Sequence, residues 1–131
     1  MFQLDTKTRK SIYEQVVDNL KELIMSEVLA SDEKLLSVRD LSKEITVNPN
    51  TVQKAYKQLE NEGYIYTVSG IGTFVSDKTN IKIDTDKINE IKSNIQFYFK
   101  ELIYLGLSAE EAKILILDAT KERGAGNDKS K

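Results

Sequence analysis

Four polar side chains recur at helical spacing in the middle of the sequence and could read nucleic-acid bases. They stand at positions i, i+3, i+4 and i+7, and are Asn50, Gln53, Lys54 and Lys57. Asn and Gln amides can form two hydrogen bonds with the major-groove edge of adenine, and Lys can reach guanine or a phosphate. The same residue types also occur on ordinary solvated helix faces. The pattern is therefore compatible with base readout or with a plain exposed face, and the neighbouring elements must decide between them.

The polar face lies on the second of two closely spaced predicted helices. Ser37 can cap the first of them, and Asn48 with Pro49 supplies an N-cap residue and a first-turn Pro for the second, which runs to about Asn61. The opposite face of the second helix is apolar and consists of Val52, Ala55, Tyr56 and Leu59. Two helices joined by a tight turn, here at 46–47, predict a helix-turn-helix.

A further helix and a hairpin are predicted on either side of this pair. Ser11 and Glu14 form a capping box ahead of apolar residues at helical spacing, which predicts a helix to about Met25. Residues 64–68 and 73–75 are β-branched and aromatic and flank a Gly-rich turn, which predicts a β-hairpin, or wing. A wing can lie along the DNA backbone or in the minor groove, and the small residues of the tip, Gly70-Ile71-Gly72, would allow a close approach. That tip is a weak signal by itself, because it lacks the spacing and the Lys of a phosphate-binding loop.

Arg39 stands in the first turn of the first helix of the pair, where the helix dipole favours a negative group. One interpretation is a surface pair with Asp40. The interpretation that we favour is a phosphate clamp, in which Arg39 and the free N–H groups of the helix terminus share one anion.

The part of the chain that follows the wing predicts a helical dimerisation segment. Residues 77–83 are a predicted linker, and a helical segment over 84–123 precedes a tail, 124–131, that is expected to be disordered. Apolar residues in this segment keep a 3-4-3-4-3 spacing that suits a seam between two chains: Ile88, Ile91, Ile95, Tyr98, Leu102 and Leu105. A core helix within one chain is the alternative. Phe97, Phe99 and Ile103 lie off the seam and could hold a final helix, capped by Ser108 with Glu111, against the long one.

Composition excludes several classes of protein. The chain has 131 residues with no Cys and no His. We therefore expect no disulfides, no thiolate metal site and no catalysis by His, and no cofactor is predicted. The formal net charge of −2 argues against non-specific coating of nucleic acid, yet 45–59 contains no acidic residue. With no apolar run of membrane-spanning length, the chain is expected to be cytoplasmic and to need no membrane. The fold class is mainly α with a small β-hairpin wing, in which a winged helix-turn-helix over 1–76 precedes the two-helix segment.

Several motifs resemble the GntR family of bacterial regulators. They are Tyr13-Glu14-Gln15, Leu35 with Ser37-Val38-Arg39-Asp40-Leu41, Asn48-Pro49-Asn50-Thr51-Val52, Ala55-Tyr56, Leu59-Glu60, Glu62-Gly63 and Gly70-x-Gly72-Thr73-Phe74-Val75. The short two-helix remainder resembles the YtrA-type subfamily, in which it is the dimerisation element. The resemblance implies DNA contacts from Ser37, Arg39, Asn48, Asn50, Thr51, Gln53 and the wing at Gly70, Ile71, Gly72 and Thr73.

The sequence departs from the family pattern at a few positions. Glu27 and Asp32 stand where the family often has Gly, and Leu36 where it often has Pro, so the link before the second helix is expected to be reshaped. Val68 and Ser69 replace basic residues at the base of the wing, which puts strong contacts between the wing and phosphates in doubt.

The leading hypothesis is a homodimeric transcription factor, more often a repressor, that binds an inverted-repeat operator in double-stranded DNA. The alternative is a winged-helix module that binds protein without reading DNA. An enzyme is a distant third, because Glu110 and Glu111 are better explained by a helix N-terminus than by an acid/base pair. No effector can be named. The short tail is small for a private ligand pocket, so an effector would use the dimer interface or the groove between the tail and the winged domain.

Overall fold

A computed structural model describes residues 2–78 and 83–128, which fold into two compact units, Met1–Lys82 and Ile83–Lys131. The first unit contains α1 (Ile12–Met25), α2 (Val38–Ile45), α3 (Pro49–Asn61), β1 (Ile65–Val68) and β2 (Gly72–Val75). The second contains α4 (Thr85–Tyr104) and α5 (Ala109–Asp128). This is the winged helix-turn-helix with two further helices that the sequence predicts.

Capping residues determine where the first three helices begin. The Ser11 hydroxyl accepts a hydrogen bond from the Glu14 backbone N–H at 3.1 Å, and the Glu14 carboxylate accepts one from the Ser11 N–H at 3.0 Å. The Ser37 side chain caps α2, and the Asn48 side chain accepts from the Asn50 N–H at 2.8 Å at the start of α3. Each cap satisfies a backbone donor that would otherwise have no partner within the helix.

The core of the first unit is formed by one face of each helix together with the inner side of the hairpin. Its fully buried side chains include Val16 of α1, three residues of α3 and Val75 of β2. The three α3 residues are Val52, Ala55 and Leu59. Burying an aliphatic side chain stabilises the fold by about 1.5–3 kcal/mol, so these contacts hold α3 firmly against α1 and the sheet.

The hairpin is antiparallel, with Ile65 opposite Val75 and Val68 opposite Gly72, and residues 69–71 form the loop. Strand β2 is also hydrogen-bonded on its other side, by the link that precedes α2. The Leu35 N–H donates to the Thr73 carbonyl at 2.8 Å, and the Val75 N–H donates to the Glu33 carbonyl at 2.9 Å. The link therefore acts as a short third strand and fixes the wing relative to the start of α2.

Glu27 and Asp32 adopt left-handed backbone conformations, with φ of 62° and 65°. Gly takes this conformation without steric cost, whereas other residues are strained there by about 1–2 kcal/mol. The sequence predicts that these residues reshape the link, but their φ angles remain in the region that Gly favours. Each side chain has a partner: the Glu27 carboxylate forms an ion pair with the Lys78 ammonium at 3.0 Å, and the Asp32 carboxylate accepts a hydrogen bond from the Tyr66 hydroxyl at 2.8 Å.

In the second unit, α4 and α5 pack against each other around a buried Ala112. Ser108 and Glu111 form the predicted capping box, in which the Glu111 N–H donates to the Ser108 hydroxyl oxygen and the Ser108 N–H donates to the Glu111 carboxylate. Hydrogen bonds from the backbone N–H and the hydroxyl of Ser108 lower the pKa of the Glu111 carboxyl. Phe99 is half-buried, as expected for a residue that holds α5, but Phe97 and Ile103 are 59% and 41% exposed. The prediction that Phe97 holds α5 was therefore wrong. Ile103 lies one helical turn after Phe99 on the same side of α4, and its contact with α5 stays a prediction.

The end of α5 also differs from the prediction. The helix continues to Asp128, whereas the sequence suggests an end near Arg123 and a disordered tail over 124–131. No Pro interrupts this segment, and a Gly in a helix costs only about 1 kcal/mol relative to Ala, so backbone hydrogen bonding continues through 124–126. Residues 129–131, and residues 79–82 of the predicted linker, lie outside the described part of the chain.

Candidate nucleic-acid interface

The polar face of α3 is exposed along its whole length. The side chains of Asn50, Gln53, Lys54 and Lys57 all face away from the buried residues of the same helix. Because 45–59 carries no acidic residue, the amides and ammonium groups of this face have no competing carboxylate on α3 before Glu60, which follows Lys57 by three residues near the end of the helix. The helical spacing in the sequence therefore identified a real surface, and its chemistry suits the floor of the major groove.

Partly buried contacts fix the C-terminal end of α3. The Lys21 ammonium of α1 pairs with the Glu62 carboxylate at 2.8 Å and lies 5.1 Å from the ring centroid of Tyr64. Neither the Lys21 nor the Glu62 side chain is more than about a quarter exposed, with values of 17% and 27%. An ion pair that is shielded in this way is screened less by salt than one on the open surface. It anchors the C-terminal end of α3 against α1.

Lys54 is positioned by a residue of α1. Its ammonium lies 4.7 Å from the ring centroid of the half-buried Tyr13, in a cation–π contact. Sequence reasoning did not find this contact, since helical spacing reveals neighbours on one helix but not neighbours on different helices. In the sequence, Tyr13 stands out only as part of a motif that resembles the family.

Ser37 and Arg39 stand together at the start of α2. The Ser37 hydroxyl oxygen accepts a hydrogen bond from the Asp40 N–H at 3.0 Å, which leaves its own proton available for donation. Arg39 is exposed and forms no ion pair with any described carboxylate. The surface pair between Arg39 and Asp40 is therefore not formed. Arg39 stays available for an anion, and its role as a phosphate clamp stays a prediction.

A partly buried hydrogen bond joins α3 to the residue just before Ser37. The Tyr56 hydroxyl donates to the Leu36 carbonyl at 2.7 Å, and burial raises the pKa of Tyr56 to about 12. The phenol is therefore protonated, and a donor, throughout the physiological range. This bond links the segment just before α2 to α3 and so helps to fix the start of α2, where Ser37 and Arg39 stand.

Asn48 and Thr51 lie at the N-terminal end of α3, beside the turn that follows α2. Asn48 is exposed, and its side-chain oxygen is used as the helix cap, so that its NH₂ group is the part that can donate to a phosphate. Thr51 is half-buried. The structure thus places both residues near the start of α3, at the end where helix N–H groups attract anions.

Both glycines of the wing tip have backbone conformations that other residues rarely adopt, with φ of 78° at Gly70 and 152° at Gly72. At Gly70 nothing lies within 4 Å of the place where a Cβ would stand. At Gly72 a Cβ would also lie 2.7 Å from Cε of Lys34, near the flexible end of that side chain. Ile71 between them is exposed, and Thr73 is half-buried beside Thr67. The base of the wing is stiffened by Tyr66, whose ring stacks on Phe74 at 5.5 Å.

Two kinds of site are not found in the described part of the chain. No cluster of three or more His, Cys, Asp or Glu there is placed to hold a metal ion. No helix in that part is long and apolar enough to cross a membrane. The described surface thus offers the exposed polar face of α3, the exposed Arg39 at the start of α2, and a wing.

Comparison with known proteins relates this arrangement to bacterial regulators. Residues 12–75 match the family described as bacterial regulatory proteins, gntR family. The HTH-type transcriptional repressor YtrA of Bacillus subtilis (strain 168) is 38% identical over 111 residues, which is 85% of this chain and 85% of YtrA.

Two solved structures extend the comparison. The crystal structure of a transcriptional antiterminator from Listeria monocytogenes EGD-e superposes with a TM-score of 0.84 at 39% identity, and covers 92% of this chain and 90% of that one. The structure of AraR(DBD) in complex with operator ORE1 superposes with a TM-score of 0.51 at 28% identity, and covers 58% of this chain and 93% of that one.

Proposed function

Because the chain belongs to the gntR family of bacterial regulatory proteins, we propose that it is a transcriptional repressor that binds an inverted-repeat DNA operator as a homodimer. The observation that carries this proposal is the exposed polar face of α3, which has no acidic residue before Glu60, together with an Arg39 that forms no ion pair with any described carboxylate. Family membership agrees with the prediction that the chain is not an enzyme. The match to YtrA over most of both chains agrees with the predicted subfamily.

The proposed roles follow from the chemistry of each side chain. Asn50 and Gln53 read base edges in the major groove, and Lys54 and Lys57 reach guanine or phosphates. Ser37, Arg39, Asn48 and Thr51 bind the DNA backbone around the N-termini of α2 and α3, where free N–H groups favour anions. The wing from Gly70 to Thr73 lies along the backbone or in the minor groove. A solved relative, AraR(DBD), is in complex with its operator, which supports DNA as the partner of the shared unit.

The apolar stripe of α4 supports a homodimer. Five of its six predicted members are exposed, namely Ile88, Ile91, Ile95, Tyr98 and Leu105, while Leu102 is half-buried within the chain. A contiguous apolar surface of this kind is rare on a monomer and typical of an interaction site. A second copy of α4 offers the same 3.5-residue period, so that two stripes can form one seam. Two recognition helices in one dimer would then favour an inverted repeat.

DNA binding is tested by titrating the full chain against promoter duplexes and following fluorescence anisotropy, beginning with the region upstream of its own gene. The test variant is Gln53→Ala with Lys57→Ala. The chain supplies a matched control in Gln96→Ala with Lys100→Ala, which removes the same residue types at the same spacing from an exposed part of α4.

We expect the α3 double variant to lose about 10- to 100-fold in operator affinity, because a base contact and a charge contact are removed together, and the α4 variant to bind normally. Footprinting of the bound fragment should reveal two symmetric half-sites. Equal losses for both variants, or equally tight binding of a single-stranded RNA of the same sequence, would contradict sequence-specific recognition of duplex DNA by α3.

The dimer is tested with two tyrosines of α4. Tyr98 belongs to the stripe and is 62% exposed, whereas Tyr104 lies off it and is 90% exposed. By sedimentation, Tyr98→Asp should be monomeric at micromolar concentration and Tyr104→Asp should be dimeric, because only the first substitution places a charge in the seam.

Deleting everything after Lys78 should leave a folded monomer, since the core of the first unit is complete without α4. The deletion should also lower operator affinity by a factor on the order of 10² to 10⁴. A truncated chain that stays dimeric would show that dimerisation lies elsewhere.

A further inference from the structure

An apolar cavity of about 600 Å³ opens within the first unit, between the end of α1, the link and α2. Its inner wall is formed by buried side chains, among them Leu20, Leu35 and Leu41, and its rim includes Val28 and Leu36, which remain 53% and 44% exposed. The volume falls within the range of about 300–1,000 Å³ that is usual for small-molecule sites. A cavity of this size can hold a small organic molecule without displacing the core.

Acidic side chains predominate among the charged groups of the lining. Asp40 and Glu44 stand one turn apart on α2, both are exposed, and neither forms an ion pair with any described Lys or Arg. Two carboxylates at this spacing repel each other. Glu33 adds a third carboxylate, which accepts a hydrogen bond from the Ala30 N–H at 2.9 Å. Among the described residues of the lining, Lys34 is the one base, and its side chain crosses to Gly72 of the wing.

We propose that this cavity binds a small amphiphilic cation, such as an alkylammonium or an arylalkylamine. The apolar part of the ligand is buried among the leucines, where removal of its surface from water drives binding. Its positive group lies at the rim beside Asp40 and Glu44 and relieves their mutual repulsion. An anion with the same apolar part meets the carboxylates instead and is disfavoured.

The cavity also touches the groups that set the position of α2. Ser37 and Tyr56 both belong to its lining, and the Tyr56 hydroxyl is the donor that holds the Leu36 carbonyl. A ligand that fills the cavity therefore changes the packing between the start of α2 and α3. We expect bound ligand to alter operator affinity, and this second step rests on the proposed DNA-binding function. Binding of the cation itself does not depend on that function, so the ligand site and the DNA-binding function can be contradicted separately.

The experiment is a calorimetric titration of the full chain, without DNA, with three probes below their micellar concentrations. Octyltrimethylammonium carries the apolar chain and the positive charge. Octyl sulfate keeps the chain and reverses the charge, and tetramethylammonium keeps the charge without the chain. We expect the first probe to bind saturably and at least tenfold more tightly than either of the others. Equal binding of octyl sulfate would overturn the proposal, because it would indicate non-specific adsorption to exposed apolar surface.

Variants then locate the site. Val28→Trp fills the mouth with little risk to folding, because Val28 is exposed, and should abolish binding. Asp40→Asn with Glu44→Gln leaves the cavity open and should weaken binding about fivefold, as expected for two partly solvated charge contacts. Asp118→Asn with Glu110→Gln is the matched control on α5 and should bind as the wild type does.

Leucine methyl resonances provide an independent readout, since those of Leu35 and Leu41 should shift with the probe and those of Leu105 on α4 should not. Unchanged binding by the Val28→Trp and the Asp40/Glu44 variants would place the ligand elsewhere and overturn the proposal. A chain that binds the cation but retards no DNA would instead contradict the proposed function alone.

Discussion

The ammonium of Lys54 and the ring of Tyr13 are in contact, with 4.7 Å between Nζ and the ring centroid. The contact joins α3 to α1 and holds a flexible cation in place before DNA arrives. Because ordering a lysine side chain costs entropy on binding, Tyr13→Leu should weaken operator affinity about two- to fivefold, the equivalent of a cation–π contact at an exposed site. Tyr13→Phe keeps the aromatic face and should bind like the wild type.

A double-mutant cycle separates this effect from a general change in α1. In a Lys54→Ala background, Tyr13→Leu should have no further effect on affinity measured by anisotropy. Additive losses would indicate that Tyr13 acts independently of Lys54.

Arg39 is predicted to act on DNA without regard to sequence. Arg39→Ala should weaken binding to the operator and to random duplex by a similar factor and should reduce the slope of log K against log salt by about 1 per subunit, since one phosphate contact is lost. The measurement is a salt titration of affinity, with Lys92→Ala on α4 as the control. If the salt slope stays unchanged, Arg39 is not a phosphate ligand.

Gln53 is predicted to act on sequence. Gln53→Ala should change the preference at one position in each half-site, with about 1–3 kcal/mol of discrimination lost there, because its amide can form two bonds with one base. The check is a set of operators in which each base pair is substituted in turn. Should every substitution keep its original cost in the variant, Gln53 does not read a base.

Thr46 is strained at the turn between α2 and α3. It ends α2 with a φ of 56°, in the left-handed region that a β-branched residue rarely adopts, and its side chain is exposed. Thr46→Gly should therefore raise the free energy of unfolding by about 0.5–1 kcal/mol in urea denaturation, after the greater flexibility of Gly in the unfolded chain is offset. Thr46→Ala keeps the strain and should show no such gain. A lower free energy of unfolding for the Gly variant would mean that the Thr46 side chain stabilises the fold despite its exposed position.

The first three helices could be predicted from sequence because their boundaries depend on local chemistry. Ser11, Ser37 and Asn48 each cap a helix with their own side chain, and the structure begins α1, α2 and α3 directly after them. The polar face of α3 was predictable for a related reason, since a helix places residues three and four apart on one side.

Contacts between elements could not be predicted in this way. The bond from Tyr56 to Leu36 spans 20 residues, and helical spacing says nothing about which groups meet across such a distance. The same limit explains the error at Phe97. Spacing places Phe97 off the seam of α4, but it does not show which of the remaining sides α5 covers.

The pairing of the link with β2 also affects the behaviour of the protein at high concentration. An unpaired strand edge can recruit a strand from another molecule and so begin aggregation. In the wing, the link before α2 covers the outer edge of β2 through residues 33–35, so the edges of the sheet in the described part of the chain are this short link and β1. That strand is four residues long, which leaves little backbone for an intruding strand to pair with. A mutation that releases the link from β2 would therefore lower solubility as well as loosen the wing.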